Sequence, residues 1–281
     1  MSKNESTKAI CHLLGIARSS YYERKNRQQS NREKENERLG QLIASEHRKS
    51  GGIYGAPKIH QKLKQQQELI SIKRVQRLMK MKGLRSKVMK KWRPNTSNKT
   101  SCIERENLLK QDFSTSGLCE KWVTDITYIH TKQNGWCYLS TIQDLHSKKI
   151  IGWKLGKQMT TELVLDTLNK AVKQQSIKKG LIIHSDLGSQ YTSHEYAQRL
   201  QSLGIKHSFS KKGCPYDNAG IEAFHAVLKK EEVYQQASYD DFHQAHIAIF
   251  RYIEGFYNRH RIHSSIGYLT PQQCEDKASA A

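Results

Sequence analysis

The sequence predicts an α/β protein, a mixed sheet with helices on both faces, preceded by an all-α and strongly basic region. Three observations predict this. Apolar residues recur at helical spacing up to about residue 84, and Arg93 to Ser101 then contains no apolar residue and many turn formers. Beyond that break, β-branched and periodic segments follow in the order β-β-β-α-β-α-β-α, which suits a mixed sheet covered on both sides.

Between Thr7 and about Lys25, two short helices are expected around Gly15. Ala9, Ile10, Leu13 and Leu14 mark an apolar face, and Ile16 to Tyr22 opens a second helix with polar and aromatic residues, including Arg18 and Ser19, at its start. This layout suits a helix-turn-helix whose second helix meets the DNA major groove; the alternative is an ordinary helical hairpin. A Glu/Arg-rich helix follows from about Arg32 to Arg48, then a turn at Gly51 to Pro57. Ile59 and Leu63, then Val75, Leu78 and Met79, mark two more helices, the second capped by Ser71 and stopped at Gly83. Lys73, Arg74, Arg77, Lys80 and Lys82 surround the apolar stripe of that second helix. A solvated basic face is the bland alternative, but on an already basic segment these cations point to phosphate contact.

Past the break, Lys121 to His130, Trp136 to Asp144 and Lys149 to Gly156 read as a three-stranded meander. Thr161 to Gln174 reads as a helix with Leu163, Val164, Leu168, Ala171 and Val172 on one side, and Leu181 to His184 as a short buried strand. Thr192-Ser193-His194-Glu195 has the form of a capping box for a helix that reaches Leu203 and ends at Gly204. His207 to Ser210 is the last strand, and a further helix begins near Ala219. The expected division is a helix-turn-helix-like DNA-binding region at 1–50, a second basic helical region at 51–92, a linker at 93–112 and the α/β domain at 113–275.

Charge narrows the partner. Of the 281 residues, the first 112 carry 27 Lys+Arg against 10 Asp+Glu, so +17 of the net +21 lies there. Such a bias favours a polyanion, nucleic acid first, although ribosomal and membrane-surface proteins share it. No apolar run approaches the roughly 18 residues of a membrane span, and the start lacks a signal-peptide core. The six cysteines are scattered without a C-x-x-C pair, which suits reduced thiols in a cytoplasmic protein.

Three acids stand apart. Asp125 interrupts the core-like strand Trp122 to Ile129, where an ionised carboxylate is costly without a compensating cation or hydrogen bonds. Asp186 follows the buried run Leu181 to Ser185, at the strand end where open α/β sheets place their sites. Glu222 lies in the first turns of the helix after Tyr216 to Gly220. Each alone reads more readily as a cap or turn residue. Together they suit two-metal phosphoryl transfer, which needs oxygen ligands holding Mg²⁺ or Mn²⁺ ions about 3.5 to 4 Å apart. Lys229 lies two turns beyond Glu222, about 10.5 Å along the helix, so it can reach a phosphate near such ions without pairing tightly with Glu222. Asn218 reads first as a helix cap, and His184 and Ser185 as packing residues rather than parts of a serine triad. For Arg259, His260, Arg261 and His263, DNA contact and bracing of the fold are equally open.

Thirty-five residues separate Asp186 from Glu222, and Lys229 follows Glu222 by seven. This is the D-D-35-E pattern of retroviral integrases and many bacterial transposases. The flanking blocks His184-Ser185-Asp186-x-Gly188-Ser189-Gln190-Tyr191, Tyr216-Asp217-Asn218-Ala219, Glu222-x-Phe224 and Leu228-Lys229 match as well. So does the closing Tyr257-Asn258-x-x-Arg261-x-His263-x-x-x-Gly267-Tyr268-x-Thr270-Pro271. With Leu13 to Tyr22 and Tyr54 to Leu84, nearly the whole chain resembles the second-reading-frame DDE transposases of the insertion-sequence-three family. Leu187 and Gly213-Cys214-Pro215 depart from the family pattern without removing an acid.

The resemblance implies an RNase H-like fold with strand order 3-2-1-4-5. It implies metal-dependent cleavage of transposon DNA ends followed by strand transfer, with Asp125, Asp186 and Glu222 holding two Mg²⁺ or Mn²⁺ ions. Among the basic residues, Lys229, Arg18, Ser19, Lys73, Arg74 and Arg77 are the candidate DNA contacts. The implied partners are terminal inverted repeats and target DNA, at least a second copy of the chain on paired ends, and an upstream-frame helix-turn-helix product. The implied setting is the bacterial cytoplasm at the nucleoid. The rival readings are a metal-dependent nuclease of the same fold and a non-catalytic DNA-binding regulator.

Overall fold

The computed structural model describes residues 7–87, 105–211, 214–235 and 238–280; residues 93–104 of the expected linker lie outside these. The chain forms two compact units, Met1–Lys49 with Gly55–Arg85, and Ser50–Tyr54 with Ser86–Ala281.

The first unit is all-helical: α1 (Thr7–Leu13), α2 (Arg18–Asn26), α3 (Asn31–Lys49), α4 (Ala56–Gln65) and α5 (Ile72–Met81). Gly15, at φ +63°, makes the turn between α1 and α2 that a Cβ would resist. A reciprocal capping box opens α3, with Glu33 N donating to Ser30 Oγ at 3.2 Å and Ser30 N to Glu33 Oε2 at 2.7 Å. Ser71 caps α5 as expected, accepting from Arg74 N. Leu39 and Ile43 of α3, Ile59 and Leu63 of α4, and Val75 and Leu78 of α5 are buried. Their three- and four-residue spacings align each pair on one helix face, so helices from both sides of residue 50 contribute to the core of this unit. No residue of α2 is buried.

The second unit carries a five-stranded sheet in the order β3-β2-β1-β4-β5. The strands are β1 (Lys121–Thr131), β2 (Gly135–Asp144), β3 (Ile150–Gly156), β4 (Ile182–Ser185) and β5 (Lys206–Phe209). β1 to β3 form the antiparallel meander, and β4 and β5 add in parallel beside β1. Side chains of β1 alternate between two apolar layers. Trp122 joins Ile142, Val164, Leu168 and Ile183 on one face, and Val123 joins Leu139, Ile221, Phe224 and Leu228 on the other. α6 (Thr161–Gln174) and α7 (His194–Ser202) cover the first face, and α8 (Ala219–Glu231) covers the second. Gly152 lets α6 lie against β3, because a Cβ there would come within 2.6 Å of Thr167 O.

Two expectations change. The cap of α7 is Ser193 rather than Thr192: Ser193 Oγ accepts from Tyr196 N at 3.3 Å, while the Thr192 amide turns back to Gly188 O. Beyond α8 lie α9 (Phe242–Phe250), a π-helical stretch Arg251–Tyr257 and α10 (Pro271–Ala280), none of which the sequence reading named. α9 and the π-helical stretch run on without a break, and a π-helical turn has no 3.6-residue signature to find. The five described cysteines are free thiols. No helix among the described residues is long and apolar enough to cross a membrane.

Candidate active site

β1 and β4 are parallel neighbours with Val123 paired to His184. Two residues further on stand Asp125, within β1, and Asp186, one residue past the end of β4, so the register brings both carboxylates to the place where the pair separates. Partial desolvation and the charge of Asp125 raise the pKa of Asp186. The same two causes raise that of Glu222, on the first turns of α8, against an opposing effect of His225. The three acids therefore share one electrostatic field. Asp186 Oδ1 accepts from Gly188 N at 2.9 Å, an approach close enough that a Cβ on residue 188 would sit 3.0 Å from that oxygen.

Sequence reasoning missed His225. It lies three residues past Glu222, is buried, and places Nδ1 3.4 Å from Asp125 Oδ2 with Nε2 2.8 Å from Thr141 Oγ1. Its helical spacing from Glu222 was the available signal. Lys229 is half-buried; burial lowers its pKa and Asp125 opposes that effect, so its ammonium lies within the field of the acids.

Among the described residues, no three His, Cys, Asp or Glu side chains stand close enough to hold one metal ion. The carboxylates are thus a coupled group and not a closed coordination sphere. Their chemistry suits a hard dication, because they offer oxygen ligands and two of them carry pKa values raised by desolvation and then by the charge of the third.

His184 and Ser185 are packing residues. His184 contacts Ser208 Oγ at 2.8 Å and Ser210 Oγ at 3.0 Å, and burial pushes its pKa down to about 4. Ser185 is fully buried, beyond the reach of a substrate. The closing basic cluster splits in two. Arg261 is buried and grips Glu231 with two bonds of 2.8 Å, and Tyr252 donates to the same carboxylate at 2.7 Å. Arg259 and His260 stay exposed.

In the first unit, Lys73 and Arg77 are exposed and, with Arg32, Ser71 and Arg74, line an open pocket of about 460 Å³. The Arg74 guanidinium makes two bonds to Asn36 Oδ1, at 3.0 and 2.8 Å, and so ties α5 to α3. Arg18 and Ser19 lie exposed at the start of α2 and do not line that pocket.

Residues 119–215 match one integrase core domain model, residues 203–271 a second, and residues 34–92 an HTH-like domain model. The matched HTH-like stretch runs from within α3 through α5. The HTLV-2 integrase catalytic core domain in complex with magnesium aligns with 58% of this chain and 99% of its own, at 15% identity and a TM-score of 0.45. The Shigella sonnei insertion element IS600 uncharacterized 31 kDa protein is 35% identical over 268 residues, 95% of this chain and 98% of its own. The Escherichia coli (strain K12) transposase InsF for insertion sequence IS3A is 36% identical over 275 residues, 97% of this chain and 94% of its own. At that identity over almost the full length of both proteins, the chain belongs to the IS3 family of insertion-sequence transposases, polynucleotidyl transferases with an integrase core.

Proposed function

We propose that Asp125, Asp186 and Glu222 form the catalytic centre, hold two Mg²⁺ or Mn²⁺ ions, and carry out cleavage of transposon DNA ends followed by joining to target DNA. The observation that carries this is the β1–β4 register, which brings two carboxylates to the place where the pair separates, with Glu222 in the same field. When bound, the ions supply activation of the attacking oxygen and charge stabilisation at the leaving one. The protein's own groups do the positioning. Gly188 N orients Asp186, and His225 on Thr141 faces Asp125. Lys229 neutralises a phosphate held beside the acids. Attack is in line by water and then by the released 3′-hydroxyl, with no covalent enzyme intermediate.

The substrates are terminal inverted repeats and target DNA, bound by at least two copies of the chain on paired ends, with an upstream-frame helix-turn-helix product as partner in the bacterial cytoplasm. Incubating the full chain with a labelled duplex of the element's end tests the chemistry. Cleaved and joined products are expected with Mg²⁺ or Mn²⁺, little with Ca²⁺, whose longer bonds suit in-line transfer poorly, and none with chelator. Full activity in chelator refutes the reading, and cutting without joining leaves a nuclease of the same fold.

End recognition rests on the basic amino-terminal half. Arg18 and Ser19 on α2 and Arg32, Lys73 and Arg77 around α5 contact DNA, whereas Arg74 holds α5 on α3. Replacing Lys73 or Arg77 by Gln should lower the slope of log affinity against log salt by about 0.9 per lost phosphate contact. Arg74→Gln should instead lower the melting temperature. A full-sized slope in Lys73→Gln/Arg77→Gln, from binding titrated at several salt concentrations, would remove α5 from the interface.

A further inference from the structure

Asn218, the expected cap of α8, makes no side-chain bond to the helix. The residue before it does the fixing. Asp217 is only 2% exposed, and its carboxylate gathers three hydrogen bonds, two from a stretch more than 100 residues upstream and one from six residues upstream. Asn107 Nδ2 donates to Oδ2 at 2.9 Å, Lys211 N to Oδ2 at 2.8 Å, and Gln111 Nε2 to Oδ1 at 2.9 Å. Burial opposes ionisation of Asp217, but the bonds from Lys211 N and Gln111, with the Cys214 thiol and His184, outweigh it and hold the carboxyl below its ordinary pKa.

The stretch supplying Asn107 and Gln111 is itself anchored. Phe209 N donates to Glu106 O at 3.0 Å, and the amides of Leu108 and Leu109 converge on Ser208 Oγ at 2.8 and 3.3 Å. That hydroxyl is also the partner of His184, two residues before Asp186. Leu109 is buried in the layer that includes Ile221 and Phe224 of α8. Residues 106–111 thus form a strap that runs past β5 and ends on the carboxylate five residues ahead of Glu222.

We propose that Asn107, Gln111 and Asp217 are positioning residues for the transposition reaction, a lock through which the strap sets the start of α8 and hence the place of Glu222 beside Asp125 and Asp186. The proposal rests on the reading of Glu222 as a catalytic acid. None of the three touches DNA or the reacting atoms; each acts through the helix. Misplacing a catalytic group by about 1 Å costs on the order of 100-fold in rate, so a loosened helix start is enough to slow the chemistry.

Full-length variants test the lock. Asn107→Ala and Asp217→Asn should lower kcat for end cleavage by about 10- to 100-fold while KM for the DNA stays within about twofold. Amide hydrogen exchange should rise in the peptide spanning residues 214–224 and not in β1. Gln111 is exposed, so its variants do not threaten the fold. Gln111→Glu, which sets a like charge against Asp217, should be slower than Gln111→Ala, and Gln111→Lys, which supplies a donor, should recover most of the loss. Wild-type kcat and exchange in Asn107→Ala, or equal rates for the Glu and Lys variants at 111, would overturn the lock. The reading of Glu222 is judged separately by Glu222→Gln: if that variant is fully active, the reading fails, whatever residues 107, 111 and 217 do.

Discussion

Glu222→Gln is expected to abolish end cleavage and strand transfer, by on the order of 10³-fold or more, with the fold and DNA binding intact. The side chain is exposed and its carboxylate is repelled by Asp125, so exchanging it for an amide removes the proposed metal ligand while sacrificing little packing and relieving a like-charge repulsion. Asp125→Asn and Asp186→Asn should match it, and double variants should be no worse than single ones, because the three acids act as one unit. Single-turnover cleavage and joining of a labelled end, run beside thermal melting, separate the two effects. Glu195→Gln on the exposed surface of α7 is the control and should remain active. An active Glu222→Gln would move the site elsewhere.

Arg261→Ala is expected to destabilise the second unit by about 3 kcal/mol, because it empties a buried site and leaves the Glu231 carboxylate, only 14% exposed, without its bidentate partner. For a unit of this size that is a fall in melting temperature on the order of 10 °C. Glu231→Gln should act in the same direction, since Tyr252 and Arg261 both lose a charged acceptor. Arg259→Ala, at an exposed site, should leave stability almost unchanged. Chemical denaturation of the three variants decides it. A wild-type midpoint for Arg261→Ala would return that side chain to the pool of DNA contacts.

These two predictions differ in how early they were legible. The three acids could be picked out from the sequence because each sits in a context that local rules describe: a carboxylate inside an apolar strand, another at a strand end, a third after a turn. The 35-residue interval and its flanking blocks then joined them. Arg261 remained open between DNA and bracing, since nothing within a few residues of it names its partner. His225 was missed for a related reason. A histidine on a buried helix face is ordinary until the strand opposite is known to hold Asp125 and Thr141.

The sequence by itself determined the elements up to the start of α8 and their order. Capping at Ser71, the glycine turns at Gly15 and Gly83, the helix Thr161–Gln174 and the five strands all follow from caps, turn formers and apolar patterns contained within one element, and those signals act on the backbone directly. Tertiary structure decided which charged and polar groups meet. Asp217 finds Asn107 across 110 residues, Arg261 finds Glu231 across 30, and Arg74 finds Asn36 across 38. A buried charge must be matched by whatever group the packed chain brings within about 3 Å, and side-chain periodicity contains no information about that group.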